Sequence, residues 1–341
     1  MKETDSGKTG FGSVPKLEVP ARHRILIFDD NASNFADLTD IPQEGLDVSV
    51  VRGGTRERLL REIGSFDGYI CSLRFRVDRE VLDAAGGRLK LVATNSTGTD
   101  HLDLHLLEQR GIAVISNKND REILNEVTST AELAFSLLLT CARPLPECFE
   151  STRRGQWLRH AMGGRQISGK TLGIIGLGRL GTMMAEYGRA FRMRLLATDP
   201  TPEKFPEWVE RTDLDRLLQE SDFVSLHVHL TEQTHHLLGV RELDRMKWGS
   251  CLINTSRGGL VNEDALISQM KAGRIAAAGL DVIDGEWLED KSQHPLIRYS
   301  RENPKLYITP HIGGATPEAG AITGRHLFRK VVQFFQSVSG R

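Results

Sequence analysis

Residues 172–181 read Leu-Gly-Ile-Ile-Gly-Leu-Gly-Arg-Leu-Gly, so an apolar run passes directly into Gly176-x-Gly178-x-x-Gly181. The next strand-like run, Arg194 to Thr198, ends on Asp199, 18 positions after the last glycine. This is the sequence form of a dinucleotide-binding βαβ unit. Gly176 permits the tight turn out of the strand, Gly178 lets the backbone approach a pyrophosphate, and Gly181 allows close packing of helix on sheet. The helix that starts here turns free N–H groups and its positive dipole end toward the phosphates. Asp199 accepts hydrogen bonds from a ribose diol and repels a 2′-phosphate, which selects NAD over NADP.

At 341 residues the chain has room for two domains. The net charge of -1 supplies no field to attract nucleic acid or an anionic membrane, and no apolar stretch approaches the roughly 20 residues that span a bilayer. Residues 1–21 carry charges and glycines without an apolar core, so they read as a flexible tail and not as a secretory signal. Cys71, Cys141, Cys148 and Cys251 lie far apart, which suits reduced thiols in a cytoplasmic protein.

Before the glycine turn, short apolar runs at Arg24–Asp29, Leu46–Val51, Gly68–Cys71, Leu89–Thr94 and Ile112–Ile115 alternate with helix-like stretches such as Thr55–Ile63 and Arg79–Ala85. Strands separated by helices predict a parallel sheet covered on both faces. An amphipathic helix over Thr128–Ala142, stopped by Arg143-Pro144, leads to a charged, glycine-containing linker over Arg153–Gly169. A second series follows, with strands at Thr171–Ile175, Arg194–Thr198, Phe223–Val228, Cys251–Asn254, Ala276–Leu280 and Leu306–Thr309, and a closing helix over Pro317–Ser337. The fold class is α/β, with two Rossmann-like, doubly wound parallel-sheet domains and the active-site cleft between them.

Three strand ends of the second series carry ionisable residues: Arg257 after Asn254-Thr-Ser, Glu286 beyond Asp281, and His311 after Thr309-Pro. Reduction of a 2-keto acid requires a held carboxylate, a polarised carbonyl, a hydride and a proton. The planar fork of Arg257 suits the first two. His311 suits the proton, because imidazole titrates near neutrality, and Glu286 beside it would favour the imidazolium. Arg74, after the strand at Tyr69-Ile-Cys71, either faces the cleft as a substrate-selecting charge or is a solvated loop arginine.

With these residues in place, the chain resembles the D-isomer-specific 2-hydroxyacid dehydrogenase family from about Ile25 to near its C-terminus. The resemblance rests on the glycine motif, Ser225-Leu-His-Val, Ile253-Asn-Thr-Ser-Arg257-Gly, Leu280-Asp281-Val and Thr309-Pro-His311-Ile-Gly-Gly. It implies an NAD-dependent oxidoreductase interconverting a small D-2-hydroxy acid and its 2-keto acid, with Arg257 binding substrate and His311, paired with Glu286, giving or taking the proton. It also implies that Arg179 and Leu180 offer backbone N–H groups to the pyrophosphate. Asp281 would hold the nicotinamide carboxamide, and Thr255, Ser256, Gly313 and Gly314 would line that side of the cofactor. The loop Asn95-Ser96-Thr97-Gly98 resembles the family's substrate loop, whose N–H groups around Thr97 and Gly98 grip a carboxylate. The family topology implies a substrate domain over 22–119 and 315–341, an NAD-binding domain over 120–314, and a homodimer.

Two positions depart from the family pattern. Trp287 follows Glu286 where proline is common, and His229 stands where proline is usual. A different class stays open beside the enzyme: an NAD(H)-sensing corepressor or scaffold of the same fold, with little turnover. No metal site is expected. His227 and His229 share one strand face and His235 and His236 follow, but no carboxylate or cysteine at ligand spacing completes a set. The basic residues Arg153, Arg154, Arg159, His160 and Arg165 are expected on a solvated or subunit-facing surface, not on nucleic acid.

Overall fold

A computed structural model describes residues 23–28, 38, 41, 45–160, 162–201, 205–288 and 290–339. The tail expected over 1–21 lies outside the described residues, as does Asp29.

The first five strands are β1 (His23–Phe28), β2 (Leu46–Val51), β3 (Gly68–Cys71), β4 (Leu91–Thr94) and β5 (Ala113–Ser116). They form one sheet in the order β2-β1-β3-β4-β5, with every pairing parallel. Alternation along β1 explains why both faces are covered. Leu26 and Phe28 pack with Leu59, Ile63, Leu82 and Leu107 on one side. Ile25 and Ile27 pack with Leu327, Phe328, Val331 and Phe335 on the other. Those last residues belong to the helix Pro317–Ser339, so the end of the chain returns to the first sheet. Each fully buried side chain of this size contributes about 1.5–3 kcal/mol.

The second sheet holds β6 (Thr171–Ile175), β7 (Arg194–Thr198), β8 (Glu210–Arg211), β9 (Phe223–Leu226), β10 (Ser250–Asn254), β11 (Ile275–Leu280) and β12 (Leu306–Ile308). Its order is β12-β11-β10-β9-β6-β7-β8, again parallel throughout. The chain leaves β6 toward β7 and later returns to β6's other edge as β9. The loops after β6 and β9 therefore diverge and leave a crevice at the carboxyl ends of the strands. The helix Ser129–Ala142 lies against one face of this sheet through Ala134, Leu137 and Leu138. Gly279 permits that approach, because a Cβ there would stand 2.8 Å from the Leu137 Cβ.

Two elements differ from the sequence reading. The linker is preceded by a helix, Leu145–Arg153, that begins directly after Pro144. Proline stops the helix before it and starts the helix after it, since the first turn needs no N–H from that residue. The edge strand β8 has two residues, both exposed and charged, and so no apolar pattern to betray it. Strand ends elsewhere shift by one to two residues. Among the described residues no helix is long and apolar enough to cross a membrane, and all four cysteines are free.

Candidate active site

A cleft of about 2350 Å³ runs along the carboxyl ends of both sheets. That exceeds the roughly 300–1,000 Å³ of a single small-ligand pocket and leaves room for a dinucleotide and a second molecule. Its floor on one side is the glycine turn. Gly176 has φ +90, and a Cβ there would lie 2.5 Å from the His227 carbonyl oxygen. A Cβ on Gly181 would meet the Gly176 oxygen at 2.0 Å, so this residue serves the packing of helix on strand and does not line the cleft. Gly178 faces open space. It caps the helix Arg179–Ala190 without a side chain, leaving the first amides, those of Arg179 and Leu180 among them, for an anion. The Arg179 guanidinium turns elsewhere, donating to the carbonyls of Leu124 (2.7 Å) and Val127 (2.5 Å).

Asp199 stands at the end of β7. Its Oδ2 accepts the Leu177 N–H at 2.7 Å and its Oδ1 accepts the Thr201 N–H at 2.8 Å, which aims a half-buried carboxylate into the cleft. Farther along, the Thr255 hydroxyl is buried and has no hydrogen-bond partner among the described residues. The Ser256 hydroxyl donates to the Leu226 carbonyl at 2.8 Å. Gly313 and Gly314 line the same wall, with Gly314 facing open space. An open glycine cradle, uncapped helix amides, a directed carboxylate and an orphaned buried hydroxyl together fit a dinucleotide.

Asp281 is fully buried, and burial raises its carboxyl above the ordinary value. It accepts from the Thr309 hydroxyl (2.5 Å) and from the N–H groups of Ile312 (2.9 Å) and Gly313 (2.8 Å). The His311 N–H donates to the Asp281 carbonyl at 2.8 Å. These bonds over-determine a turn in which His311 adopts φ 54, a left-handed conformation uncommon outside glycine. Asp281 thus holds the histidine loop as well as facing the cleft.

His311 Nδ1 lies 2.8 Å from Glu286 Oε2, which leaves Nε2 for the cleft. Arg257 enters from the end of β10 and donates through Nη1 to the Ser256 carbonyl at 2.8 Å. Its Nε donates to Asp100 Oδ1 at 2.9 Å, across from the first sheet. Burial drives the Asp100 carboxyl up, but the Arg257 charge and hydrogen bond outweigh it and hold the group below its ordinary value. Gly98 backs onto the same guanidinium: a Cβ there would sit 1.8 Å from Nη2. Ser96, Thr97 and Gly98 all line the cleft, and the Gly98 N–H donates to Ser96 Oγ at 3.1 Å, so in this conformation that amide braces its own loop. Arg74 also lines the cleft, with its guanidinium 5.0 Å from the Phe75 ring centroid.

Asp100 and His101 follow the substrate-like loop, and the sequence assigned neither of them a role in the chemistry. Asp100 proves to be the partner of Arg257, a pairing that 157 positions of separation concealed. His101 is fully buried, with burial pushing it down to about 4, and its Nε2 lies 3.7 Å from Cys71 Sγ. His227 is likewise pushed down to about 4 by burial. His229 lines the cleft and is lowered by burial and by nearby Lys118 and Arg257. The expectation that no carboxylate stands near the loop histidines is corrected in one respect. Asp284 comes within 4.8 Å of the ring nitrogens of His235 and His236, all three being exposed.

A family model described as D-isomer specific 2-hydroxyacid dehydrogenase, NAD binding domain, matches residues 135–313. Hydroxypyruvate reductase of Thermotoga maritima is 36% identical over 311 residues, covering 91% of this chain and 98% of that protein. D-3-phosphoglycerate dehydrogenase of Archaeoglobus fulgidus is 35% identical over 302 residues, but the chain spans only 55% of its length. A crystal structure of a Thermus thermophilus protein, 36% identical, superposes with a TM-score of 0.75 over 89% of this chain and 93% of the other.

Proposed function

Because the chain belongs to the D-isomer-specific 2-hydroxyacid dehydrogenase family and is an NAD-dependent enzyme of that class, we propose that it interconverts a small D-2-hydroxy acid and its 2-keto acid with His311, Glu286 and Arg257 as the working side chains. The observation that carries this reading is the 2.8 Å His311–Glu286 contact at the wall of a cleft that Arg257 also lines. NAD, when bound, supplies the hydride acceptor, or as NADH the donor. Asp199 and the Gly176–Gly178 turn hold its adenosine half, and Thr255, Ser256, Asp281, Gly313 and Gly314 border the nicotinamide half.

In reduction, Arg257 and the Thr97 amide anchor the substrate carboxylate, and the guanidinium polarises the adjacent carbonyl. To do so Arg257 exchanges part of its contact with Asp100, whose depressed carboxyl keeps the guanidinium oriented until substrate arrives. His311 Nε2 donates the proton to the carbonyl oxygen, and the Glu286 carboxylate at Nδ1 stabilises the charged ring beforehand. In oxidation the same ring takes the proton back.

The domain division belongs to the same proposal: 22–119 with 315–341 as the substrate domain, and 120–314 as the NAD-binding domain. Packing of Pro317–Ser339 on the first sheet supports it. The reading extends to a cytoplasmic homodimer joined through the NAD-binding domains. Its support is the exposed apolar group Phe149, Trp157 and Leu158, with Trp157 83% exposed, and the four free cysteines. A monomer in analytical ultracentrifugation would remove the dimer.

The test is a panel of 2-keto acids (glyoxylate, hydroxypyruvate, pyruvate) with NADH, followed by NADH absorbance. At least one is expected to turn over, and His311→Ala is expected to lower kcat about 10²–10⁴-fold, the usual worth of a general acid. Tight NADH binding with no turnover of any acid would favour the NAD(H)-sensing reading instead. Full activity in His311→Ala would displace the proton donor.

A further inference from the structure

Glu286 sits on a turn whose backbone is gripped from three sides. Glu263, the first residue of the helix Glu263–Ala272, accepts the Asp284 N–H on its Oε1 at 2.7 Å. His294, at the N-terminus of the helix Pro295–Glu302, has its Nε2 2.7 Å from the Asp284 carbonyl oxygen. A carbonyl only accepts, so this nitrogen carries the proton. The same Nε2 lies 3.3 Å from Glu263 Oε2. The third side is Gly258, next to Arg257, where a Cβ would fall 2.1 Å from the Asp284 nitrogen.

His294 is buried, with 6% side-chain exposure, and Glu263 is largely covered at 14%. Burial pushes the Glu263 carboxyl up to about 7, and among the described residues no arginine or lysine contact offsets that cost. The second ring nitrogen of His294 is buried without a partner among the described residues. A largely covered acid and a half-satisfied imidazole are expensive to keep in a fold. Both are aimed at the backbone of one residue, two positions before the carboxylate that touches His311.

We propose that Glu263 and His294 are positioning residues for the redox reaction: by fixing both backbone polar groups of Asp284 they set Glu286 against His311. The proposal rests on the reading of His311 and Glu286 as the proton-transfer pair. It follows from geometry, because Gly285 (φ 71) between the grip and Glu286 tolerates many conformations and cannot itself hold the carboxylate in place.

The experiment compares Glu263→Ala, Glu263→Gln, Glu286→Gln and the double variant Glu263→Ala/Glu286→Gln in the full-length protein. The substrate is the 2-keto acid most active in the panel, with NADH. Glu263→Ala is expected to lower kcat about 10- to 100-fold, the scale of a misplaced catalytic group, with the NADH dissociation constant changed no more than about twofold. Glu263→Gln keeps an oxygen for the Asp284 N–H and is expected to stay within about threefold of wild type. Acting through Glu286, the alanine change should cost nothing further in the double variant, within about twofold. His294→Phe retains ring volume without the donor and repeats the non-additivity test should Glu263→Ala fail to fold.

Multiplying losses in the double variant, or a glutamine as slow as the alanine, would overturn the proposal. Wild-type kcat in Glu263→Ala beside a slow Glu286→Gln removes the grip alone. Wild-type kcat in Glu286→Gln removes the pair itself, and the grip with it.

Discussion

At the scale of single residues, the site depends on a side chain that is missing. Gly98 leaves the space that the Arg257 guanidinium fills, and any Cβ at 98 would overlap Nη2 at 1.8 Å. The obstructing atom is the far end of a flexible side chain, so the arginine would yield and the backbone would stay. Gly98→Ala is therefore expected to keep the fold and to lower the melting temperature by no more than a few degrees, because the side chain moves and the backbone keeps its path. It should raise KM for the keto acid about tenfold or more by displacing a charge-assisted contact worth roughly 1.5–3 kcal/mol. Steady-state kinetics beside a thermal melt checks it, and an unaltered KM would mean that Arg257 does not hold substrate from this position. The sequence showed Arg257 and Gly98 as separate features, each legible from its own neighbours. Their contact was not legible, because nothing local to either encodes the other.

At the scale of elements, strand positions were readable because parallel strands covered on both faces are short unbroken apolar runs, as in Thr171–Ile175 and Phe223–Leu226. The loop functions were readable only in part. Two helix starts, at Glu263 and Pro295, converge on the 284–287 turn, and their burial gives Glu263 a titration no isolated sequence reading supplies. The folded chain holds that proton up to about 7, against an ordinary value of 4.5. A proton held more tightly by the folded than by the unfolded chain stabilises the fold at low pH. That contribution is complete below about 4.5 and is lost as pH rises through about 7. Urea midpoints of wild type and Glu263→Gln, compared from about pH 5 to about pH 8, should diverge with rising pH in the variant's favour, by at most about 3 kcal/mol, and then run parallel. Curves that run parallel across the whole range would mean that this carboxylate is ionised throughout.

At the scale of the whole molecule, contacts across the cleft join the two sheets. Arg257 reaches Asp100, and Trp287 Nε1 donates to the Leu73 carbonyl at 3.0 Å with the Arg76 guanidinium 5.4 Å from the indole centroid. Trp287 thus gives a physical sense to one departure from the family pattern: the residue beside Glu286 ties its turn to the loop after β3. Trp287→Phe deletes the donor and keeps a ring for Arg76. Losing one neutral hydrogen bond of about 1 kcal/mol should raise KM for the keto acid about fivefold while NADH affinity holds. An unchanged KM would show that this contact does not contribute to the substrate-competent arrangement. The other departure, His229, lines the cleft near Arg257, and its lowered titration favours a neutral ring there.

The sequence by itself determined two α/β units, the glycine turn with Asp199 behind it, and the placing of Arg257, Glu286 and His311 at strand ends that face one cleft. These are local properties: apolar period, glycine sterics and charge type act within one βαβ unit or at one strand end. Tertiary structure alone decided the partners. It set Asp100 against Arg257 across 157 positions and Leu73 against Trp287 across 214, and turned Glu263 from a helix-start acid into a largely covered carboxyl that accepts the Asp284 N–H. Coulomb interaction and desolvation depend on distance and burial in space, and those exist only once the two sheets have closed on one cleft.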